Sequence, residues 1–300
     1  MSKGYIKIIF SLLISSIYVT NKALASEAVS NIEALQRLIQ LYKETFPPYN
    51  DYLEKTSDQQ PFNLCMCPKQ TEIAEQFMDE AELLLQQHAA STDDYKLYHK
   101  YDDDSIEYSK RHGNTIIYKF NHKIKYPNKY NDIIDMIWNP RVNYFGDRII
   151  KEKIVREYSP NLMMILHRYK NDNISFHGYY YALAKKVKVS DDTTIIVYAS
   201  SDIKDFDQLD ENKYTNTIVE SATSFRPTIC SEKDIRNEEL RKMFVNLSGF
   251  IIKKKTDCVD ITYLNSINIH TPVFEDLLFR IVHSSQILNI MNITTIISNK

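Results

Sequence analysis

Three basic side chains, Arg141, His167 and Arg226, lie close in the chain to aromatic residues and suggest a binding chemistry. A guanidinium carries paired planar donors that match a phosphodiester. Aromatic faces attract an organic cation such as choline. Together these groups could hold a ligand that carries both charges. The plainer alternative for each basic residue is a solvated position on the surface.

Aromatic and aliphatic side chains of the predicted strands and of the last helix could wall a cavity for such a ligand. Alternation along a strand puts Tyr179 and Tyr181 on one face and Tyr180 on the other. Which face meets a ligand stays open, and ordinary core packing is the alternative for every wall residue. The candidate wall residues are Trp138, Tyr144, Phe145, Tyr179, Tyr181, Tyr198, Phe250, Leu278 and Val282.

Motifs of the common enzyme classes are missing from the sequence. It contains no H-E-x-x-H, no G-x-S-x-G and no P-loop, and its 8 histidines are scattered. Asp102, Asp103 and Asp104 are adjacent, but a turn explains them better than a carboxylate dyad. We therefore predict a protein that is not an enzyme and that needs no cofactor.

Four cysteines, Cys65, Cys67, Cys230 and Cys258, allow several arrangements. Cys65 and Cys67 are too close in the chain to pair easily with each other. A disulfide from this pair to Cys230 or Cys258 and a set of free thiols both remain open. A metal site is the weaker interpretation, because a Cys-x-Cys pair without a second pair of ligands is a poor signal for zinc.

Composition restricts the class of protein. The chain has 300 residues, 43% of them hydrophobic and 25% charged, as expected for one large globular domain or two small ones. The formal net charge is −2. A protein that binds nucleic acid would be expected to carry a basic surface, so nucleic acid is not predicted as a partner.

Residues 1–25 have the pattern of a secretory signal peptide. Lys3 and Lys7 precede an apolar segment, and Ala23-Leu24-Ala25 provides a small-x-small cleavage site before Ser26. An uncleaved anchor is the alternative, although the apolar segment is short for a membrane span. We assign residues 26–70 to a helical extension and linker, and residues 71–300 to the main domain.

The periodicity of residues 71–300 predicts an α+β fold. A helix, three strands, a short helix ending at Trp138, six further strands and a long C-terminal helix follow one another. Residues 217–226 are predicted to form a strand, and the last helix is predicted to end near Met291. A meander of long strands makes a curved antiparallel sheet of about nine strands. The last helix, with Thr271 as its N-cap and Pro272 at its first position, would fill the concave face.

This order of elements resembles the START (helix-grip) fold, and the chain is most similar to the secreted fam-a proteins of malaria parasites. The similarity spans roughly residues 72–291. Two START patterns differ here: Phe145-Gly146-Asp147 replaces a Trp-Asp pair, and His177-Gly178 replaces an Arg-Asp pair. The stretches that carry the resemblance are HAASTDDYKLYHKYDDDSIEYSK, YNDIIDMIWNPRVNYFGDRIIK, YYYALAKKVKVSDDTTIIVYASSD, VNLSGFIIKKKTDCVDITYLNSI and PVFEDLLFRIV.

The resemblance implies a tunnel between the sheet and the last helix that holds one lipid. It implies a secreted monomer that carries a phospholipid, with phosphatidylcholine as the first candidate, and that touches membranes transiently. It places Arg141 near an arginine of START domains that bind phosphatidylcholine. The resemblance also implies that the protein is delivered to the parasitophorous vacuole or to the cytosol of the host red cell.

Two other functions remain open from the sequence. The scaffold could serve as a variant protein that contacts host molecules or is exposed to the immune system, without transferring lipid. A third hypothesis is a pocket enzyme, which would require polar side chains that converge inside the cavity.

Overall fold

The structure, a computed structural model, describes residues 63–64, 68–139, 150–171, 176–205, 214–269 and 275–299, and a ten-stranded sheet is its main element. Its strands are β1 (Asn63–Leu64), β2 (Lys96–Lys100), β3 (Ser105–His112), β4 (Thr115–Ile124), β5 (Ile150–Ser159), β6 (Leu162–Asn171), β7 (Phe176–Ser190), β8 (Thr193–Ala199), β11 (Arg241–Lys254) and β12 (Val259–Ile269). Two further strands, β9 (Lys204–Asp205) and β10 (Thr228–Ile229), form a separate pair.

The strand order in the sheet is β1-β5-β6-β7-β8-β11-β12-β4-β3-β2. Nine strands, from β5 to β2 in this order, are antiparallel to their neighbours, and the two-residue β1 adds a parallel edge on β5. A short parallel contact also joins the beginning of β11 to β7. The two edges of the sheet are therefore β1 and β2.

Two long helices cover opposite faces of the sheet. The α-helices within the described ranges are α1 (Pro68–Ala90), α2 (Tyr130–Trp138), α3 (Lys233–Arg236) and α4 (Glu275–Ser298). The buried stripe of α1 includes Phe77, Ala81 and Leu85, whose spacing of four residues places them on one side of the helix. They pack with Leu183 and Val197 of the sheet.

The opposite face packs against α2 and α4. Phe120, Ile196 and Ile261 of the sheet share a core with Ile287 and Ile290 of α4. Strand alternation explains this division, because successive side chains point to opposite faces. We call the two sides of the sheet the α1 face and the α4 face.

The predicted α+β helix-grip fold is confirmed, with nine antiparallel strands and a long C-terminal helix. The helix continues to Ser298, beyond the predicted end near Met291. The predicted cap residues Thr271 and Pro272 lie outside the described residues.

The strand predicted at residues 217–226 does not form. A 3-10 helix occupies Glu220–Ser224 instead. The carboxylate of Glu80 on α1 accepts the backbone N–H groups of Glu220 and Ser221 at 3.0 and 2.9 Å. These donors are therefore used by a side chain and are not available to a neighbouring strand.

The cysteines show no metal site in the part of the chain that is described. Cys230 and Cys258 are free thiols, while Cys65 and Cys67 lie outside it. Within the same ranges, no group of three or more His, Cys, Asp or Glu side chains could hold a metal ion. None of the helices in these ranges is long and apolar enough to span a membrane.

Candidate functional site

The part of the α4 face that β3, β4 and β12 form, which we call the closed half, binds α4 through polar side chains. His283 of α4 donates from Nε2 to the carboxylate of Glu107, and both side chains are almost fully buried. Tyr101 donates to the second Glu107 oxygen at 3.0 Å. A buried charge with these partners is well satisfied, and it fixes the position of the helix on the sheet.

Further hydrogen bonds join α4 to the closed half, and we call this set of polar contacts the seam. Asn265 of β12 donates from Nδ2 to His283 Nδ1 at 3.1 Å and to Gln286 Oε1 at 3.0 Å. His122 of β4 lies 2.8 Å from the Thr294 hydroxyl through Nε2. Burial lowers the pKa of His122, although the charges of Asp102 and Asp104 act in the opposite direction. The closed half is thus filled with side chains that bond to one another, and the buried Oδ1 of Asn265 is the exception that has no partner among the described residues.

The remaining part, formed by β5 to β8 with Phe250 of β11, contains a row of polar groups and is called the open half. Strand register places Glu152, His167 and Tyr180 side by side on three neighbouring strands. His167 Nδ1 lies 2.7 Å from Glu152 Oε1. The His167 ring stacks on Tyr180 with centroids 4.6 Å apart and an angle of 9°.

Two tyrosine hydroxyls in the open half have no hydrogen-bond partner among the described residues. They belong to Tyr180 and to Tyr198 of β8, and neither oxygen is a fully buried orphan atom. Burial, followed by the negative charge of Glu152, raises the pKa of both phenols well above its usual range. The hydroxyls are therefore surrounded by protein and are still free to bond to something else.

The accessible surface of two aromatic rings in the open half indicates an internal space there. Tyr198 and Phe250 lie on the two central strands β8 and β11, yet both are only half-buried. The Phe250 ring stacks on Tyr263 at 4.7 Å, so one of its faces is covered. Because both rings pack against the core that contains Ile287 and Ile290 of α4, we infer that their accessible surface faces a hollow under α4.

Helix α4 also covers the open half. Ser285 lies 3.1 Å from the hydroxyl of Tyr169 on β6, and this contact joins the helix to the far strands. The predicted wall residues Leu278 and Val282 are buried on the same helix. At the end of α2, the predicted wall residue Trp138 is half-buried, and the ammonium of Lys186 lies 5.1 Å from its ring centroid.

Two predicted wall residues, Tyr179 and Tyr181, are on the α1 face and do not reach the hollow. The alternation of β7 assigns Tyr180 to the α4 face in their place. The Tyr181 hydroxyl lies 3.1 Å from Ser231 Oγ. Both tyrosines line a cleft of about 20 Å³ with Ser201, Ser231 and Met243, which is room for about one water molecule.

The three basic candidates have different positions. His167 lies in the open half, as described above. Arg226 is exposed and forms an ion pair of 2.6 Å with Asp202, which fits the alternative of a solvated surface position. Arg141 lies outside the described residues, together with the wall candidates Tyr144 and Phe145.

Sequence reasoning missed Glu152 and Tyr180 as site residues, as well as the seam between Glu107 and His283. Cross-strand register brings Glu152, His167 and Tyr180 together, and a single sequence carries no direct signal for register between long apolar strands. The alternation in β7 did separate Tyr180 from its neighbours, so it would have indicated Tyr180 once the covered face was known.

Comparison with known proteins identifies the fold. No family model matches the chain, and no curated protein matches it. Among solved structures, human StAR-related lipid transfer protein 5 is similar at 9% identity and a TM-score of 0.53, with 74% of this chain and 94% of that one covered. Human STARD10 is similar at 10% identity and a TM-score of 0.48, with 71% and 80% covered. The chain thus has a START-like fold, and at these identities the likeness concerns the fold alone.

Proposed function

We propose that the protein is a lipid carrier that holds one phospholipid in the hollow of the open half and moves it between membranes. The observation that carries the proposal is the accessible surface of Tyr198 and Phe250 in the centre of the sheet beneath α4. The similar human protein is named a lipid transfer protein, which supports the same reading. The proposal involves binding and release, without a chemical step or a cofactor.

The gain from enclosing an acyl chain makes such a carrier feasible. About 15 methylenes leaving water contribute on the order of 10 kcal/mol, before other costs, at about 0.8 kcal/mol per methylene. The open half provides an apolar contact through the half-buried ring of Phe250, which lies beside the fully buried side chains of Ile165 and Ile196. A hollow lined in this way can hold a chain that is extracted from a bilayer.

The polar row suits the head group of phosphatidylcholine. The carboxylate of Glu152 and the rings of Tyr180 and Tyr198 offer negative charge and aromatic faces to a quaternary ammonium. Lys186 lies on the α4 face of β7 by register and supplies a cation for a phosphate. Arg141 remains a predicted phosphate ligand from the sequence.

We further propose that the chain is a fam-a protein of a malaria parasite. The signal-peptide pattern of residues 1–25 and the quoted sequence stretches support this assignment. The proposal includes cleavage before Ser26, residues 71–300 as the functional domain, a monomeric state and transient contact with membranes. It also includes delivery to the parasitophorous vacuole or to the cytosol of the host red cell.

A transfer assay tests the lipid-carrier proposal. Mature protein beginning at Ser26 is mixed with donor liposomes that contain labelled phosphatidylcholine and with unlabelled acceptor liposomes. We expect transfer well above the blank, and a several-fold loss in the Glu152→Gln variant, because the ammonium loses its counter-charge. The matched control is Glu157→Gln, which removes one charge from the same strand without touching the bond to His167. Transfer at the level of the blank, with no lipid retained by the purified protein, would contradict the proposal.

The second candidate function is a START scaffold that contacts host molecules without transferring lipid. The dense hydrogen bonding of the closed half favours this second function, because such bonding restricts any ligand to the open half. The same preparation distinguishes the two functions. Saturable binding to red-cell proteins by a chain that retains no lipid would support this candidate.

A further inference from the structure

The exposed side of α4 carries almost no charge. Arg280 is the last formally charged residue of the helix, and residues 281–298 contain no Asp, Glu, Lys or Arg. At 1.5 Å per residue, this uncharged stretch is about 27 Å long. The exposed residues from Arg280 to Thr295 recur every three to four positions and form one row, which we call the outer row: Arg280, Ser284, Leu288, Asn292 and Thr295.

Helix α1, on the opposite face of the sheet, is a matched reference because it is also long and exposed on one side. Its exposed residues include the acids Glu72, Glu75 and Asp79, as is usual for a helix surface in water. Each helix also exposes a leucine: Leu83 of α1 keeps 55% of its surface accessible and Leu288 of α4 keeps 51%. Exposure is thus similar at the two leucines, whereas the charge around them differs.

Apolar side chains next to the outer row add to its accessible surface. Ile281 and Met291 are partly accessible. Their distances from Leu288, seven and three residues, place all three side chains on the same side of α4. The opposite side of the helix packs on the sheet through Val282 and Ile287, which are buried. Helix α4 therefore has apolar residues toward the protein and also away from it.

The lack of charge indicates which partner fits the outer row. A charged partner, such as an anionic bilayer or an acidic protein, is met by side chains of the opposite charge. A zwitterionic bilayer has no net charge, and its interface takes up the apolar side of a helix that lies on it. Position favours the same partner, because α4 covers the hollow and a lipid that enters or leaves the hollow passes beside this helix.

We propose that the outer row of α4 contacts the surface of a zwitterionic bilayer, with Leu288 at the centre of the contact. The choice of a bilayer rests on the proposed carrier function and assigns its membrane contact to a surface, whereas the row itself rests on exposure and lack of charge. Since the helix that makes this contact also covers the hollow, the contact places the hollow beside the membrane that gives or receives the lipid.

Flotation with phosphatidylcholine vesicles tests the outer row without requiring lipid transfer. The mature protein should float to the same extent at low and high salt, because salt screens contacts between charges only. Leu288→Asp should weaken vesicle binding by at least about tenfold, since the apolar contact is lost and a carboxylate enters the interface. Leu288→Trp should strengthen binding, because tryptophan is favoured at membrane interfaces.

The matched controls make the same two changes at Leu83, the equally exposed leucine of α1. Leu83→Asp changes the net charge as Leu288→Asp does, and both Leu83 variants should float like the unaltered protein. Equal effects at the two leucines, or no effect at Leu288, would overturn the proposal. Self-association without vesicles that Leu288→Asp abolishes would also overturn it, because the row would then join two copies of the chain.

Transfer measured in parallel separates this inference from the carrier function. Lipid transfer by a protein whose flotation does not depend on Leu288 overturns the contact surface alone. Flotation that depends on Leu288, in a chain that neither transfers nor retains lipid, supports the contact surface and contradicts the carrier proposal. The urea unfolding midpoint of each variant is compared with that of the unaltered protein, so that a change in binding is not mistaken for a change in folding.

Discussion

The closed half and the open half of the α4 face lie under the same helix, and they use their polar groups differently. In the closed half, Glu107, His283 and Asn265 are bonded to one another or to neighbouring side chains. In the open half, the hydroxyls of Tyr180 and Tyr198 have no partner among the described residues. The first half positions the helix, and the second half leaves polar and apolar surface available to a ligand.

The difference shows how one helix can act as both a support and a cover. A buried polar group that is hydrogen-bonded across the interface holds α4 in one position, because any shift of the helix would leave that group without partners. A polar group that faces a hollow carries no such constraint and can bond to a guest. The comparison therefore predicts that stability depends on the closed half and that ligand retention depends on the open half.

The largest expected effect is on stability, from Glu107→Ala. This change leaves the Nε2–H of His283 and the hydroxyl of Tyr101 without their shared acceptor, and each orphaned donor costs about 1–3 kcal/mol. The matched change in the open half, Glu152→Ala, also removes a carboxylate bonded to histidine, but that side chain keeps 20% of its surface accessible. Glu152→Ala should therefore lower the free energy of unfolding by about 1 kcal/mol or less. Urea unfolding measures both values, and equal costs would remove the distinction between the halves.

A pH dependence of the closed half is the next expected effect. Burial lowers the pKa of His122 below its ordinary value of 6.5, so the unfolded chain binds the proton more readily than the folded one. The stability contribution is complete above about pH 6.5 and is lost as the pH falls through the lower, folded-state pKa. His122→Gln should reduce the fall in the urea midpoint between about pH 7.5 and pH 5.5. An unchanged fall would show that other groups cause it.

The smallest effect comes from a pair of tyrosines, one in each half. The Tyr263 hydroxyl donates to Gln286 of α4 at 3.2 Å, and Tyr263→Phe should cost about 1 kcal/mol because this bond is lost. Tyr198→Phe removes a hydroxyl without a described partner and should change stability by about 0.5 kcal/mol or less. The retained amount of phosphatidylcholine should show the reverse order, with the greater loss in Tyr198→Phe. Equal losses of lipid would contradict the assignment of Tyr198 to the hollow.

Much of the fold could be predicted from the sequence, because helices and strands leave periodic patterns. The helix at Tyr130–Trp138 and the long strands of the meander follow from the spacing of apolar residues alone. The segment around Glu220 was predicted wrongly as a strand, because the partner that redirects its backbone, Glu80, is 140 residues away in sequence.

The candidate site could be predicted only in part. The three consecutive tyrosines Tyr179, Tyr180 and Tyr181 are all buried, so composition does not reveal which face α4 covers. Only the packing of the two long helices on opposite faces decides this. His167 was found because its chemistry is conspicuous, whereas Glu152 became a candidate only through its register with His167 on the next strand.

Native mass spectrometry of the mature protein, after incubation with phosphatidylcholine vesicles and separation from them, tests the central claim most directly. We expect a mass that corresponds to one lipid per chain, and a clear loss of that species in Tyr198→Phe but not in Tyr263→Phe. A spectrum that contains only the unliganded chain, from protein whose unfolding midpoint shows it to be folded, would contradict a lipid-binding hollow beneath α4.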